Sequence, residues 1–357
     1  MKTVNTKQLR VAVSEYTKPD NAMAIALFLF DISVFSAAIA GVIFLENIFL
    51  RILCSITAGM LISTIFVIGH DAAHNTFTSS KLLNRIIARI AFLPSLHNYG
   101  LWLRAHNRIH HQITNVQGFN SWSPYSRQEY ESLTTAGKIR ERIYRSVPGI
   151  AVYYLVERWW KEKFYPFSHI DGKYNSVYFD FALVITFLCV FIGGLVYAGI
   201  TLPHTSVAEL IILAFVVPTT IWNFMIGFTV YQHHTHEGIS WARTVEDRDR
   251  MGDQEDFTMH VQYPGWYNLL SHNIMEHTAH HVDPRIPCYN LAKAQSVIAD
   301  ILGEDMHAVK FSLSGFLRTM RNCKLYDYEN LCWMDFDGNR TTVPLQIKSE
   351  RKVLRAA

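Results

Sequence analysis

The sequence predicts an all-α integral membrane protein. It would have four transmembrane helices, further helices lying at the interface, and a cytoplasmic histidine-rich cap holding two metal ions. Three observations predict it. Half of the 357 residues are hydrophobic, and they concentrate in four long runs rather than spreading through one soluble core. Apart from Arg51, every Lys and Arg lies before the first run, between the second and third, or after the fourth. The chain carries 17 histidines, and most gather in groups beyond the runs.

Residues 1–21 form a polar N-terminal segment with Lys2, Lys7, Arg10 and Lys18, and it lacks the apolar core and cleavage site of a signal peptide. Residues 22–69 hold the first hairpin of spans, about Ala22–Leu45 and Ile48–Gly69, each long enough for a ~30 Å hydrocarbon core. Residues 70–175 are mixed. Leu82–Trp102 reads as one amphipathic interfacial helix, and AVYYLVERWWKEKFYPF as an aromatic stretch at headgroup level. Residues 176–231 hold the second hairpin, about Val177–Ile200 and Glu209–Tyr231, with a kink expected at Pro218. Residues 232–357 are polar. The positive-inside rule then places both termini and the mixed segment in the cytoplasm, and a bacterial inner membrane is the expected location.

No Lys/Arg-rich block or basic-aromatic stripe is present, so nucleic acid is not an expected partner. The five cysteines form no C-x-x-C, which argues against a disulfide framework or a zinc knuckle.

The histidine groups carry the chemistry. His70 and His74 follow the second run as H-x-x-x-H. His106, His110 and His111 form H-x-x-x-H-H; on an α-helix the first two share a face and the third is turned by about 100°. His233, His234 and His236 follow the fourth run. His277, His280 and His281 form H-x-x-H-H and can share a face. Neutral imidazole is the commonest protein metal ligand, and the expected topology brings all four groups to the cytoplasmic face. Eight or nine imidazoles exceed the needs of one ion, so two ions are expected. Imidazole suits iron, zinc, copper and nickel alike.

The three boxes in this order, with these spans, resemble the membrane fatty acid desaturase family from about Val67 to Asp337. NSWSPYSRQEY and CKLYDYENLCWMDFDG resemble its delta-12/omega-6 branch. The resemblance implies a di-iron centre that uses O2 to place a cis double bond in a fatty acyl chain. It assigns His70, His74, His106, His110, His111, His277, His280 and His281 as ligands. The family's Q-H-T-H-P resembles H-H-T-H-E here, which points to His234 as a ninth, with His233 as the fallback and Glu237 in place of proline.

Ligating histidines commonly pass their other N–H to a carboxylate or carbonyl. Asp71, Glu237, Glu276 and Asp283 are candidates, each otherwise a solvated loop charge. Asn273 either holds a water at the site or caps a helix. Trp122 either lines an acyl groove or anchors the chain at the interface. His204 belongs on the far side of the membrane; His97, His169, His260, His272 and His307 fall outside the boxes. No dinucleotide fingerprint, iron–sulfur spacing or haem-domain signature is present. A separate electron donor such as ferredoxin is therefore implied, and Lys138, Arg140, Arg142 and Arg145 form a basic face that would receive an acidic donor or contact lipid headgroups. The acyl substrate would be linked to lipid, coenzyme A or carrier protein. Rival readings are a fatty acyl hydroxylase or carotenoid ketolase or hydroxylase of the same superfamily and, more remotely, a membrane metal transporter.

Overall fold

The computed structural model describes residues 4–166 and 176–345; His169 lies outside the described residues. In chain order the helices begin with α1 (Thr6–Ala12), α2 (Asn21–Phe44), α3 (Ile48–Ala73), α4 (Lys81–Phe92) and α5 (Tyr99–Leu103). A π-helical turn over Arg104–His110 follows, then α6 (Arg127–Ser132), α7 (Thr135–Tyr144), α8 (Gly149–Tyr153) and a second π segment, Tyr154–Phe164. Next come α9 (Ser176–Thr201), α10 (Val207–Ile211), a third π segment (Ile212–Val216) and α11 (Val217–His234). The last stretch holds α12 (Val245–Met251), β1 (His260–Gln262), α13 (Gly265–Leu270), α14 (His277–Val282) and α15 (Cys288–Leu302). It ends with β2 (Ala308–Lys310), α16 (Leu313–Asn322), β3 (Leu325–Asp327) and β4 (Cys332–Met334). β1 pairs with β2 in parallel and β3 with β4 antiparallel. These three-residue strands are small additions to a helical protein.

The chain forms two compact units, each from separated stretches. One comprises Pro19–Ala105 and Ala151–Gly227; the other comprises Met1–Lys18, His106–Ile150 and Phe228–Ala357. The first holds most of the apolar runs. Four helices are long and apolar enough to cross a membrane: α2, α3, α9 and the continuous helix Val207–His234. The Asp20 and Asn47 side chains accept first-turn N–H groups of α2 and α3, giving the two helices defined starts. The spans meet through Ala38, Val42, Ala58, Leu195, Leu210 and Ala214, a core with several small residues that let backbones approach. Large side chains such as Phe49, Val190 and Ile200 point outward and are more than two-thirds exposed, as lipid-facing residues would be.

Arg51, the exception to the charge bias, is buried. It bonds Glu209 at 2.6 Å, Thr205 at 2.7 Å and the Val42 carbonyl at 2.8 Å. It therefore neutralises a carboxylate at the α2–α3 and α9–α10 ends, and its charge does not offset the bias elsewhere. His204 lies at these ends too, with Nε2 3.0 Å from the Ile43 carbonyl. His70 stands 19 residues beyond Arg51 on the same helix, about 29 Å away at ~1.5 Å per residue. His204 and His70 thus occupy opposite ends of the bundle.

Three sequence expectations are corrected in this unit. α3 continues past Gly69 to Ala73 and stops where Asn75 takes φ 60°, so His70 sits in its last turn. Leu82–Trp102 is not one helix. α4 stops at Phe92 just before Pro94, whose ring and missing N–H end the run, and α5 restarts at Tyr99. Tyr154 does not present its ring to headgroups: it is buried, with its hydroxyl 3.1 Å from His97 Nε2. Near Pro218 the helix widens over Ile212–Val216, as expected where a missing N–H leaves the Ala214 carbonyl without its i+4 donor.

The other unit carries most of the histidines. Its α1 is strapped down by Arg10 Nε donating to the Val282 carbonyl at 2.6 Å. Arg145 is not part of a basic surface. It is buried, paired with Glu141 at 2.6 Å and donating to the Trp122 carbonyl at 3.0 Å. Trp122 is 1% exposed and packs edge-on against Tyr231 with ring centres 5.1 Å apart, so it is no interfacial anchor.

Candidate metal centre

In the unit built from Met1–Lys18, His106–Ile150 and Phe228–Ala357, seven histidines sort into two sets. His110, His234, His277 and His281 each offer a ring nitrogen, all within 4.8 Å of one another; His106, His111 and His280 do the same. Both the second and the third sequence boxes are divided between the sets.

Local backbone explains the division. The second box lies on a π turn closed by His111 N–H to the His106 carbonyl, an i to i+5 bond. That wider turn swings residue i+5 back over residue i. His111 Nε2 lies 3.0 Å from His106 Nε2, while His110 is released to the other set. His106 and His110 keep neighbouring rings, centres 5.2 Å apart, yet fall in different sets. In the third box, α14 sends His280 to His111, Nε2 to Nε2 at 3.0 Å, and His281 to His110 at 3.2 Å. His277 faces His234, Nε2 to Nε2, at 3.0 Å.

These spacings fit a shared cation. Two nitrogens at right angles on an ion with bonds of ~2.1 Å stand about 3.0 Å apart. Two imidazole lone pairs would repel at that distance without one. The orienting bonds turn the Nε2 lone pairs of His110 and His234 toward their partner rings. His110 Nδ1 lies 2.8 Å from the Asn120 side-chain oxygen, and His234 Nδ1 3.1 Å from the Phe257 carbonyl. Each acceptor fixes the proton on Nδ1 and leaves Nε2 as donor to a metal. His281 Nδ1 lies 3.4 Å from the Thr114 hydroxyl, which itself donates to the His110 carbonyl at 2.8 Å. Burial, and then the neighbouring histidines, hold His277 and His281 well below the ordinary imidazole value. Both are neutral at pH 7, as metal binding requires.

Geometry separates the two adjacent histidines of H-H-T-H-E. His234 joins the set; His233 instead lies flat on His277, ring centres 3.7 Å apart and planes 13° from parallel. In the other unit, His70 and His74 lie in and just after the last turn of α3, ring centres 4.8 Å apart. His70 Nδ1 meets Asp71 at 2.8 Å, and Trp102 packs edge-on against both rings at 5.4 and 5.9 Å. Asp71 thus takes the Nδ1 proton and leaves the lone pair of His70 on Nε2.

The remaining candidates have other work. Glu237 accepts from Thr319 at 2.6 Å and from Arg318 and Asn322 at 3.2 Å, tying its loop to α16. Glu276 lies 2.6 Å from His260 Nε2 and accepts from Asn268 at 2.6 Å, which anchors the start of α14. Asp283 takes a two-point grip from Arg285. Asn273 does not cap a helix; α14 starts after Glu276, and the Asn273 amide donates to the Cys288 carbonyl at 3.0 Å. The sequence reading missed Asn120, Thr114 and the Phe257 carbonyl. Asn120 opens the NSWSPYSRQEY stretch, so a signal existed; a backbone carbonyl leaves none.

The fatty acid desaturase family model matches residues 46–312. The chain is 27% identical over 275 residues to an "Omega-6 fatty acid desaturase, chloroplastic" of Glycine max, covering 77% of this chain and 62% of that protein. It is 27% identical over 283 residues to an "sn-1 oleoyl-lipid 12-desaturase" of a Picosynechococcus species, covering 76% of each. A protein of the same description from Arthrospira platensis is 30% identical over 251 residues, covering 70% of this chain and 68% of that protein. The match therefore spans less than two-thirds of the plant relative and somewhat more of the cyanobacterial ones. With the paired imidazole sets, the four long apolar helices and this match over most of its length, the chain belongs to the fatty acid desaturase family.

Proposed function

We propose that the protein is an O2-dependent membrane acyl desaturase of the delta-12/omega-6 type, carrying two iron ions and drawing two electrons per double bond from a separate donor such as ferredoxin. The observation that supports it most directly is the pair of imidazole sets with Nε2 atoms facing at 3.0–3.2 Å in a chain of this family. His106, His110, His111, His234, His277, His280 and His281 would hold the ions. His70 and His74 are assigned to the same centre by the order of the sequence boxes.

Bound iron would supply oxygen activation and the removal of hydrogen from an unactivated methylene. The protein's own groups do the rest. Asn120, the Phe257 carbonyl, Thr114 and Asp71 fix which nitrogen of each partner ring carries the proton. The ring of His233 keeps His277 from turning. Burial of His234, His277, His280 and His281 excludes bulk water from a strongly oxidising site. Both termini and the centre would face the cytoplasm, in a bacterial inner membrane. Lys138, Arg140 and Arg142 remain as a basic face for an acidic donor once Arg145 is removed from it.

The test is the lipid profile of an expressing host that lacks polyunsaturated acyl chains, read by gas chromatography–mass spectrometry. A new cis bond in an already mono-unsaturated chain is the expected product. Hydroxylated chains without new double bonds would overturn the assignment.

A further inference from the structure

A cleft of about 120 Å³ opens beside the N-terminus of α16. Its floor is the last turn of a candidate span and the loop after it: Gln232, Thr235 and His236 line it, directly at the end of the helix Val207–His234. A cleft built on the end of a spanning helix lies at the depth of lipid headgroups. Its outer wall is polar and cationic, with Lys310, Ser312, Ser314 and Arg318. Lys310 is exposed and forms no ion pair among the described residues. The Arg318 side chain is 65% exposed and commits its Nε to Glu237, leaving two terminal nitrogens available.

Two independent features point to an anionic ligand. In the first turn of the ten-residue α16 the Ser312 hydroxyl accepts the Gly315 N–H at 3.0 Å, and the Leu313 and Ser314 N–H groups are left beyond the reach of any preceding helical carbonyl. Thr235, a lining residue, is 1% exposed, and its hydroxyl has no hydrogen-bond partner. A buried hydroxyl without a partner is costly unless a ligand or water supplies one.

The surroundings identify the source of the anion. Leu313, between the lining residues Ser312 and Ser314, is 65% exposed, and α13 exposes Trp266, Leu269 and Leu270 by 57–73%. Stacked rings connect α13 to the cleft: Tyr267 on Tyr263 at 4.4 Å, Tyr263 on Phe311 at 4.4 Å. An exposed Trp and leucines around a cationic notch match the boundary of a bilayer. The volume is well below the ~300–1,000 Å³ of pockets that enclose whole small molecules. It suits a phosphate group, not a nucleotide such as that of coenzyme A.

We propose that this cleft binds the phosphate of a membrane glycerophospholipid, with Lys310, Arg318, Thr235 and the α16 N-terminus as its recognition groups and α13 seated in the same leaflet. This rests on the membrane-spanning reading of the helices and does not require desaturase activity.

The experiment is native mass spectrometry of the full-length protein in detergent, titrated with phosphatidylglycerol, with diacylglycerol of the same chains, and with inorganic phosphate as competitor. Phosphatidylglycerol is expected to be retained and diacylglycerol not. Lys310→Gln and Arg318→Gln should each weaken retention by about tenfold, the effect of losing a charge-assisted hydrogen bond. Thr235→Val, nearly isosteric, should weaken it by about threefold or more. Because Arg318 also holds Glu237, Lys310→Gln is the deciding variant. Equal retention of diacylglycerol, or wild-type retention by Lys310→Gln, would overturn the proposal. Displacement by millimolar inorganic phosphate would assign the cleft to free phosphate and overturn the lipid assignment. None of these readouts depends on product formation, so their failure is separable from failure of the desaturase reading.

Discussion

Replacing Asn120 separates orientation of a ligand from stability of the fold. Asn120 is 4% exposed and makes two bonds in opposite directions. Its oxygen lies 2.8 Å from His110 Nδ1, and its amide donates to the Ile113 carbonyl at 2.6 Å. Asn120→Ala removes both. The His110 N–H is then left without its acceptor, costing about 1–3 kcal/mol, and the proton can move to Nε2, the nitrogen that should face the metal. Loss of such an outer partner typically lowers metal affinity by ~10–100-fold. Asn120→Asp keeps the acceptor for His110 but turns a carboxylate oxygen toward the Ile113 carbonyl. Its metal affinity should stay within about threefold of wild type, while its Tm falls with a loss of about 1–3 kcal/mol. The assay is iron per chain after chelator competition, by inductively coupled plasma mass spectrometry, with Tm measured in parallel. Wild-type affinity in Asn120→Ala, or equal loss in both variants, would refute the tautomer argument.

Three further outcomes are expected. His280→Ala and His281→Ala should each abolish product and lower iron content while protein still reaches the membrane; full activity in both would remove them from the ligand set. Arg51→Ala leaves Glu209 facing the Arg51 cavity, and breaking a buried pair costs ~3–5 kcal/mol, less here because Glu209 is one-third exposed. Melting in detergent should show a large fall for Arg51→Ala and partial recovery in Arg51→Met/Glu209→Gln. Lys163 is lowered from 10.5 to about 7 by burial, with Arg158 adding to the effect. The unfolded chain therefore binds the proton more readily between these values, so stability should rise from about pH 7 toward 10.5. Lys163→Met should raise Tm at pH 7 and flatten that rise; an unchanged pH slope would show that Lys163 is not the group responsible.

Much of the molecule is legible in the sequence. Long apolar runs can span a bilayer only as helices, because backbone polar groups must be satisfied internally. The runs therefore mapped directly onto α2, α3, α9 and the helix Val207–His234. The histidine boxes were legible because imidazoles at these spacings have few other uses. The breaks were less so: Pro94 was visible, yet the amphipathic pattern ran across it. Asn273, φ 57°, looked like a cap by its distance from His277, but a cap depends on where the helix begins.

What the sequence determined by itself is the inventory: four long apolar runs, the segments in which the charges gather, and eight imidazoles in three boxes. What only the tertiary structure decided is the pairing. A π turn cannot be read from the letters HNRIHH, because it differs from an α turn by one residue per hydrogen bond, a choice made by packing. That choice sends His106 and His111 one way and His110 the other. Likewise, two adjacent histidines at the end of α11 are indistinguishable in sequence. Their separation by about 100° on the helix turns one ring toward His110, His277 and His281 and lays the other flat on His277.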